Sequence, residues 1–334
     1  MVIDTDLVSR AQAGDPDAFA KLVREHQREL ELHCYRVLGS AQDAEDTVQE
    51  TFLAAWQHIA GFEVRSSVRT WLYRIATNRC LDALRAARRR QPLEGSVPAA
   101  PYAQPNAAVD VMWLEPYPDL LLEGIEDATP GPDARVEARE AISLAFVAAL
   151  QLLPPRQRAV LVLRDVLGFR ARQVAAMLDT TEEAVNSALK HARANLHSRL
   201  PPPADPPPAP GSVAERALIE QLVTAYEAGD VSALVKLLTD DVVITTPLAG
   251  GAYVGPPAAA RALERIFSQH RSCRLIPTRA NGQPAFGVYI RDPAAGVFRS
   301  NGMLVVTLAG ERIRAMTRFD NSLIARFGLP RRLR

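Results

Sequence analysis

The chain has 334 residues, more than one ordinary domain holds, and its 48% hydrophobic and 23% charged residues are typical of a globular protein. The formal net charge is only +1, so overall charge does not indicate nucleic-acid binding. No apolar run approaches the roughly 20 residues that span a bilayer. The N-terminus lacks the pattern of a signal peptide, and the three cysteines lack metal-ligand spacing. We therefore expect a cytoplasmic protein with reduced thiols, no cofactor, no metal and no membrane partner.

The first predicted domain, residues 1–90, is helical, because its apolar residues recur every three or four positions. Asp43, Asp46 and Glu50 share one helical face, although a solvated acidic surface has the same pattern. Trp71 and Arg74 share another face, which is surrounded by further arginines. An aromatic ring beside arginines suits an unstacked base and its phosphates, but a core tryptophan with a basic rim looks alike.

Residues 91–134 form a predicted linker, since they show no periodicity, contain eight prolines and eight acidic residues, and have no lysine or arginine. An apolar core interrupts this linker at Val111–Leu114 and at Leu120–Leu122, which is unusual for a plain spacer. A second helical domain is predicted over residues 135–200. Seven prolines in residues 201–210 predict a stiff spacer, 201–211, before the last domain.

The second helical domain contains the strongest local pattern, a helix-turn-helix. A short helix over Ala171–Leu178 is followed by a turn at Asp179-Thr180, and Thr180 with Glu183 matches a capping box. The next helix buries Val185 and further apolar residues and exposes polar ones. In a helix-turn-helix this second helix enters the major groove of DNA. Taken alone, an ordinary pair of helices remains the alternative.

The last domain, residues 212–329, is predicted to be α+β. Helices are predicted over residues 213–228, 231–238 and 257–270. Between and after them lie short runs that are either apolar throughout or alternate between apolar and polar residues, and we expect these runs to form an antiparallel sheet. The predicted strands are Val242–Ile244, Ala285–Ile290, Met303–Leu308 and Ile313–Phe319.

Three long motifs, in this order, resemble the extracytoplasmic-function (ECF) sigma factors of bacterial RNA polymerase: DAEDTVQETFLAAW, SSVRTWLYRIATNRCLDALR and LPPRQRAVLVLRDVLGFRARQVAAMLDTTEEAVNSALKHARANL. The resemblance covers nearly all of residues 5–90 and 137–200. It implies a factor that binds core polymerase, through the β′ coiled coil and the β flap, and directs it to promoter DNA. In that family the linker runs through the active-site cleft and RNA exit channel, which the acidic linker suits.

The resemblance also implies roles for particular residues. Polymerase binding falls on the acidic face of the first domain: Asp43, Glu45, Asp46, Gln49, Glu50 and Trp56. Reading of the −10 promoter element falls on the predicted helix at Ser67–Arg85 and on the loop before it, Phe62–Ser67. The residues are Arg65, Arg69, Trp71, Arg74, Asn78 and Arg79. Reading of the −35 element falls on the recognition helix: Thr181, Glu182, Val185, Asn186, Ser187, Lys190 and Arg193.

The C-terminal residues 212–329 resemble SnoaL-like domains, cone-shaped α+β folds that include polyketide cyclases and ketosteroid isomerases. The matching marks include YEAGDVSALVKLLTDDVVITTP, NGQPAFGVYI and IRAMTRFDN. Residues that are candidates to line a cavity in the cone are Asp241, Tyr253, Arg279, Asn281 and Asp320. The predicted strands carry no histidine and no acid paired with a base, so we expect a regulatory tail, not a catalytic one.

The expected fold is therefore multidomain: two all-α sigma domains, the second a helix-turn-helix, followed by an α+β cone-shaped SnoaL-like domain. The expected function is that of a sigma factor whose tail modulates activity in cis. Two alternatives stay open at this point: a one-component helix-turn-helix regulator with a ligand-binding tail, and a SnoaL-type enzyme with a DNA-binding appendage. A small ligand and an anti-sigma protein are further partners that the resemblance allows.

Overall fold

A computed structural model describes residues 5–63, 67–90, 114–122, 141–199, 205–246, 251–268 and 272–333. The chain divides into two compact units. The helical unit comprises residues 1–94 and 121–200, and the tail unit comprises residues 95–120 and 201–334. The two regions with helical periodicity therefore share one unit, whereas part of the predicted linker belongs to the tail. In the part of the chain that the structure describes, no helix is both long and apolar enough to cross a membrane.

The first region of the helical unit contains five helices: α1 (Thr5–Gln12), α2 (Pro16–Arg24), α3 (Gln27–Leu38), α4 (Ala41–His58) and α5 (Val68–Arg90). Local sequence sets several of their ends. Asp15 and Ser40 cap α2 and α4 by accepting hydrogen bonds from backbone amides. Gly39 ends α3 in the left-handed conformation, with φ of 79°. The buried faces of α3, α4 and α5 form the core between them, with Tyr35 and Tyr73 fully enclosed.

The second region contains α6 (Leu144–Gln151), α7 (Pro155–Leu161), α8 (Ala171–Met177) and α9 (Glu182–Arg199), and α7 continues into a π-helical turn, Val162–Val166. The helices α8 and α9 form the predicted helix-turn-helix. Its cap differs from the expected one, because the hydroxyl oxygen of Thr181, not Thr180, accepts the amide of Ala184. The turn places Asp179 at a φ of 47°, so the helix starts one residue later than the capping-box pattern indicates.

The tail unit contains α10 (Val213–Ala228), α11 (Val231–Lys236) and α12 (Pro256–Ser268), with a seven-stranded sheet. The strands are β1 (Leu238–Thr246), β2 (Gly251–Val254), β3 (Cys273–Ala280), β4 (Gln283–Asp292), β5 (Val297–Ala309), β6 (Arg312–Phe319) and β7 (Arg332–Leu333). Their order is β2-β1-β6-β5-β4-β3, and β7 pairs with β5. The α+β prediction is confirmed, but the sheet is mixed, since β1 and β6 run parallel.

One sheet face and the helices enclose the tail core. Leu222, Tyr226, Phe286 and Met316 belong to this cluster, so side chains fill the space between helices and sheet. The other face is covered near the C-terminus by a 3₁₀ segment, Asn321–Phe327, in which Leu323 and Ile324 are buried.

Candidate polymerase and promoter interfaces

Helix α4 presents the predicted polymerase-binding residues on an open face. Asp43, Glu45, Asp46, Gln49 and Glu50 are all exposed, and the helix contains no lysine or arginine. Trp56 is half-buried, because its ring packs edge-on against Phe19 with the ring centroids 5.0 Å apart. The face therefore concentrates negative charge and suits a basic partner surface.

Leu53 lies on the same helix face and is 59% exposed. Sequence reasoning missed it, although its positions relative to Gln49 (i+4) and Glu50 (i+3) place it among the acidic residues. A single exposed leucine is ordinary on a protein surface. Its place beside Gln49 and Glu50 suits an interface, where an apolar centre has polar neighbours.

The predicted −10 residues lie on or near α5, except Arg65, which falls outside the residues that the structure describes. Trp71 is half-buried. The centroids of its ring and the Phe62 ring are 4.9 Å apart, and the two ring planes make an angle of 42°. Arg79 is exposed. Gln12 in α1 donates hydrogen bonds from its side-chain amide to the carbonyl oxygens of Phe62 (2.8 Å) and Ile59 (3.3 Å).

Arg69 is engaged inside the helical unit. Its Nε donates to Glu29 Oε2 at 2.9 Å, and its guanidinium stacks over the rings of Tyr73 and Phe169 at 4.8 and 5.1 Å. Burial by itself would raise the pKa of Glu29, but hydrogen bonds from His26 and Arg69 outweigh it and the pKa is lowered. Arg69 thus serves as the partner of a buried carboxylate and as a bridge to the second region.

Two further −10 candidates contact the second region directly. Arg74 forms an ion pair with Asp179 at 3.3 Å, and the Asn78 side-chain amide donates to the carbonyl of Met177 at 3.1 Å. Phe169 packs edge-on against Tyr73, with ring centroids 5.3 Å apart. The helix-turn-helix therefore lies against the face of α5 that was predicted to read the −10 element.

A polar junction joins the same two regions at the end of α3. The buried guanidinium of Arg158 donates to the carbonyl oxygens of Val37, Gln151 and Leu153 and to the Gln151 side chain. The Gln151 amide donates in turn to the Arg36 carbonyl at 3.2 Å. Burial lowers the pKa of Arg158 to about 10. Its hydrogen-bond acceptors in the structure are carbonyl and amide oxygens.

The recognition helix α9 is open along its predicted DNA face. Asn186, Ser187 and Lys190 are exposed, as are Thr181 and Glu182. Val185 is 1% exposed and packs in the core, so its side chain does not reach this face. Arg193 is exposed but makes two hydrogen bonds to the carboxylate of Asp165, at 2.8 and 2.7 Å. Asp165 belongs to the π-helical turn after α7, which positions it beside α9.

The five predicted cavity residues of the tail do not meet. Asp241 is exposed and pairs with Arg314, Tyr253 accepts a hydrogen bond from Arg265, and Asp320 caps the 3₁₀ segment. Arg279 and Asn281 lie at the β3–β4 turn. Of the five, Tyr253 belongs to the apolar cluster that fills the core between helices and sheet. In the part of the chain that the structure describes, no group of histidines, cysteines and carboxylates is arranged to hold a metal ion.

The β3–β4 turn binds the apolar core of the linker. Asn281 and Gly282 have φ of 57° and 71°, as a two-residue hairpin turn requires. The Tyr117 amide donates to the Asn281 side chain at 2.8 Å, and the Asn281 amide donates to the Tyr117 carbonyl at 2.9 Å. Asp119 accepts from the Gly282 amide and pairs with Arg279. The segment 114–120, which we call the linker strand, is therefore bound to the tail unit through these contacts and a single β-bridge from Pro118 to Ala280.

Comparison with protein families gives the class. A Sigma-70 region 2 model matches residues 22–90, a Sigma-70 region 4 model matches residues 143–196, and a SnoaL-like domain model matches residues 219–316. The first two fall on the helical unit and the third on the tail unit. We refer to the two helical regions below as region 2 and region 4.

The chain belongs to the ECF RNA polymerase sigma factors. It is 42% identical over 341 residues to ECF RNA polymerase sigma factor SigG of Mycobacterium tuberculosis, covering 98% of this chain and 90% of that protein. It is 32% identical over 193 residues to SigM of the same species, covering 58% of this chain and 82% of SigM. The resemblance read from the sequence and the sigma-factor function are confirmed.

The fold comparison agrees. The crystal structure of the M. tuberculosis ECF sigma factor SigJ superposes with a TM-score of 0.60 at 23% identity, covering 92% of this chain and 99% of that chain. The shared fold confirms the predicted class, two all-α sigma domains followed by an α+β SnoaL-like domain.

Proposed function

We propose that the α4 face binds core RNA polymerase at the β′ coiled coil, that α5 reads the −10 element, and that α9 reads the −35 element while region 4 contacts the β flap. One observation carries this proposal: an open acidic helix and an open polar recognition helix occur together in one compact unit. The acidic residues around Leu53 suit a basic, partly apolar partner. The amide of Asn186 and the hydroxyl of Ser187 suit base edges.

The contacts of α5 support a second element of the proposal. Because Arg74 and Asn78 bond to region 4, the described arrangement is a closed form that does not read the −10 element. Polymerase binding would separate region 2 from region 4 and release α5. The junction is well suited to opening, since Arg158 and Gln151 donate to oxygens that water also hydrates.

The experiment is mapping of transcript start sites with core polymerase, with and without the protein. We expect a discrete start that depends on the protein, and absence of one across candidate promoters would contradict the proposal. Asn186→Ala should lower discrimination between the intact and a mutated −35 element, by ~1–3 kcal/mol per lost base contact. Asn195→Ala is the matched control, because Asn195 is exposed on the same helix and its side chain bonds Gln157.

We propose further that the tail is a cis-acting regulator and not an enzyme. The linker strand at the β3–β4 turn supports this, because it ties the tail to the segment that the family threads through polymerase. Asp119→Ala removes two of these contacts, and Asp240→Ala changes an exposed acid of the same unit that takes no part in them. A transcript yield that changes with the first variant alone supports regulation, whereas equal yields would end the idea.

A further inference from the structure

The N-terminal helix α1 lies before residue 22, where the region 2 family match begins. Its inner residues Val8 and Ala11 pack in the region 2 core, as an amphipathic helix requires. Gln12, its last residue, does more than pack. The side-chain amide donates at 2.8 Å to the Phe62 carbonyl and at 3.3 Å to the Ile59 carbonyl, across about 50 residues of chain.

These two bonds hold a particular turn. Ile59–Gly61 is a 3₁₀ turn that ends α4, and the amide of Phe62 closes it by donating to the Ile59 carbonyl at 3.0 Å. The backbone there leaves helical geometry, so carbonyl oxygens at this helix end are open to side-chain donors. Gln12 donates from one amide group to the Phe62 carbonyl and, as a second and longer contact, to the Ile59 carbonyl. Phe62 is buried, so its ring is held by packing on a backbone whose carbonyl Gln12 binds.

The Phe62 ring in turn contacts Trp71, with centroids 4.9 Å apart. Trp71 is half-buried near the start of α5, and the Phe62 ring packs against its indole. We infer that Gln12 is a positioning residue for Trp71, acting through the Phe62 turn so that the indole presents the same face to an unstacked promoter base. This inference rests on the proposed −10 role of Trp71.

The test is a double-mutant cycle on the rate of open-complex formation by holoenzyme with full-length protein. Gln12→Leu removes the donors and keeps the size, and we expect a loss of about three- to tenfold, the effect of one or two net hydrogen bonds. In a Trp71→Ala background the same change should have no further effect. Gln12→Lys, which keeps N–H donors, should recover most of the rate. Affinity for core polymerase should stay unchanged in every variant.

The matched control is Gln27→Leu, which removes a surface hydrogen bond to Glu31 in α3 and should leave the rate unchanged. An equal loss from Gln12→Leu with and without Trp71 would assign Gln12 a merely structural role and overturn the inference, as would no loss at all. If Gln12→Leu lowers the melting temperature strongly, the rates of Gln12→Lys and Gln12→Glu are compared instead. The first variant keeps N–H donors at this position and the second has none. Wild-type protein that gives no start with core would instead contradict the proposed function.

Discussion

The two helices predicted to touch promoter DNA differ in one respect: region 4 partly covers the predicted face of α5, whereas that of α9 is open. On α5, Arg69, Arg74 and Asn78 all contact region 4. On α9, Asn186, Ser187 and Lys190 point to solvent. The proposed −35 face is therefore open, whereas part of the proposed −10 face contacts region 4. If the proposed roles hold, α9 meets double-stranded DNA in this arrangement, and α5 loses its contacts with region 4 before it meets a strand.

Acid should weaken the two helical regions unequally, and this is the largest effect that we expect. Burial lowers the pKa of His33 in region 2 to about 3, against about 6.5 for an exposed histidine. The unfolded chain therefore takes up a proton that the folded one refuses, and stability falls as pH drops from 6.5 towards 3, by up to ~1.4 kcal/mol per pH unit. The lowered pKa of Glu29 adds a loss at the acid end of this range.

Hydrogen exchange against pH measures this effect separately in the two regions. Amides of α3 and α5 should lose protection at a higher pH than those of α9. His33→Gln should remove most of the slope between pH 6.5 and 5, because Glu29 contributes mainly at the acid end of the range. Equal loss of protection in both regions would show that the acid sensitivity does not come from region 2.

Removal of the Arg158 side chain should weaken the junction of region 2 with region 4. Arg158→Ala leaves the Val37 carbonyl and the Gln151 side chain without their buried donor, at a cost of about 2–4 kcal/mol in the free energy of unfolding. Urea denaturation measures it. Arg156→Ala is the control, since Arg156 makes one hydrogen bond, to the Leu178 carbonyl. Similar losses of unfolding free energy in both variants would show that the Arg158 junction contributes no more to stability than the single hydrogen bond of Arg156.

The open face of α9 should show its phosphate contacts as salt dependence. Lys190→Ala should lower the slope of log affinity against log salt for −35 duplex DNA by about 1, the value for one lost phosphate contact. Arg193→Ala should lower it less, because the guanidinium already pairs with Asp165. Fluorescence anisotropy of a labelled duplex measures both slopes. A larger change for Arg193 than for Lys190 would show that the Asp165 pair breaks on DNA.

The smallest effect should come from the ion pair that helps to cover α5. Asp179→Asn removes the partner of Arg74, and the asparagine tolerates the left-handed backbone at this position. Exposed pairs contribute at most about 1 kcal/mol, so the affinity of free protein for a −10 single strand should rise by less than about fivefold. In an Arg74→Ala background the rise should vanish. If the rise in affinity persisted in the Arg74→Ala background, it would come from the changed net charge and not from the exposure of α5.

The sequence predicted the elements whose signals are local. The helical periodicity of regions 2 and 4 and the alternating runs of β4 to β6 correspond to helices and strands of the structure. Strand β3 was missed, because Pro277 and two arginines interrupt its apolar pattern. The parallel pairing of β1 with β6 joins segments about 70 residues apart, and no local pattern encodes it.

The sites divide in the same way. Spacing alone places the acidic residues of α4 on one face, and it would also have found Leu53. The covering of α5 depends on Phe169, Met177 and Asp179, about 100 residues further along the chain. Gln12 and the linker strand are also known only from long-range contacts. The DNA- and polymerase-contact assignments stay predictions until the experiments above.

Arg279 joins two distant points of the chain in the tail unit. Its guanidinium pairs with Asp119, where the chain departs towards region 4, and with Glu215, just after it returns. Region 4 is therefore a closed excursion of about 95 residues, with both of its ends fastened at one side chain. Loss of the Arg279 side chain would remove one of the contacts that close this loop, and the closure of a loop of this length has a cost in chain entropy. A single guanidinium thus brings together, within the tail unit, two acidic residues that are 96 positions apart in the sequence.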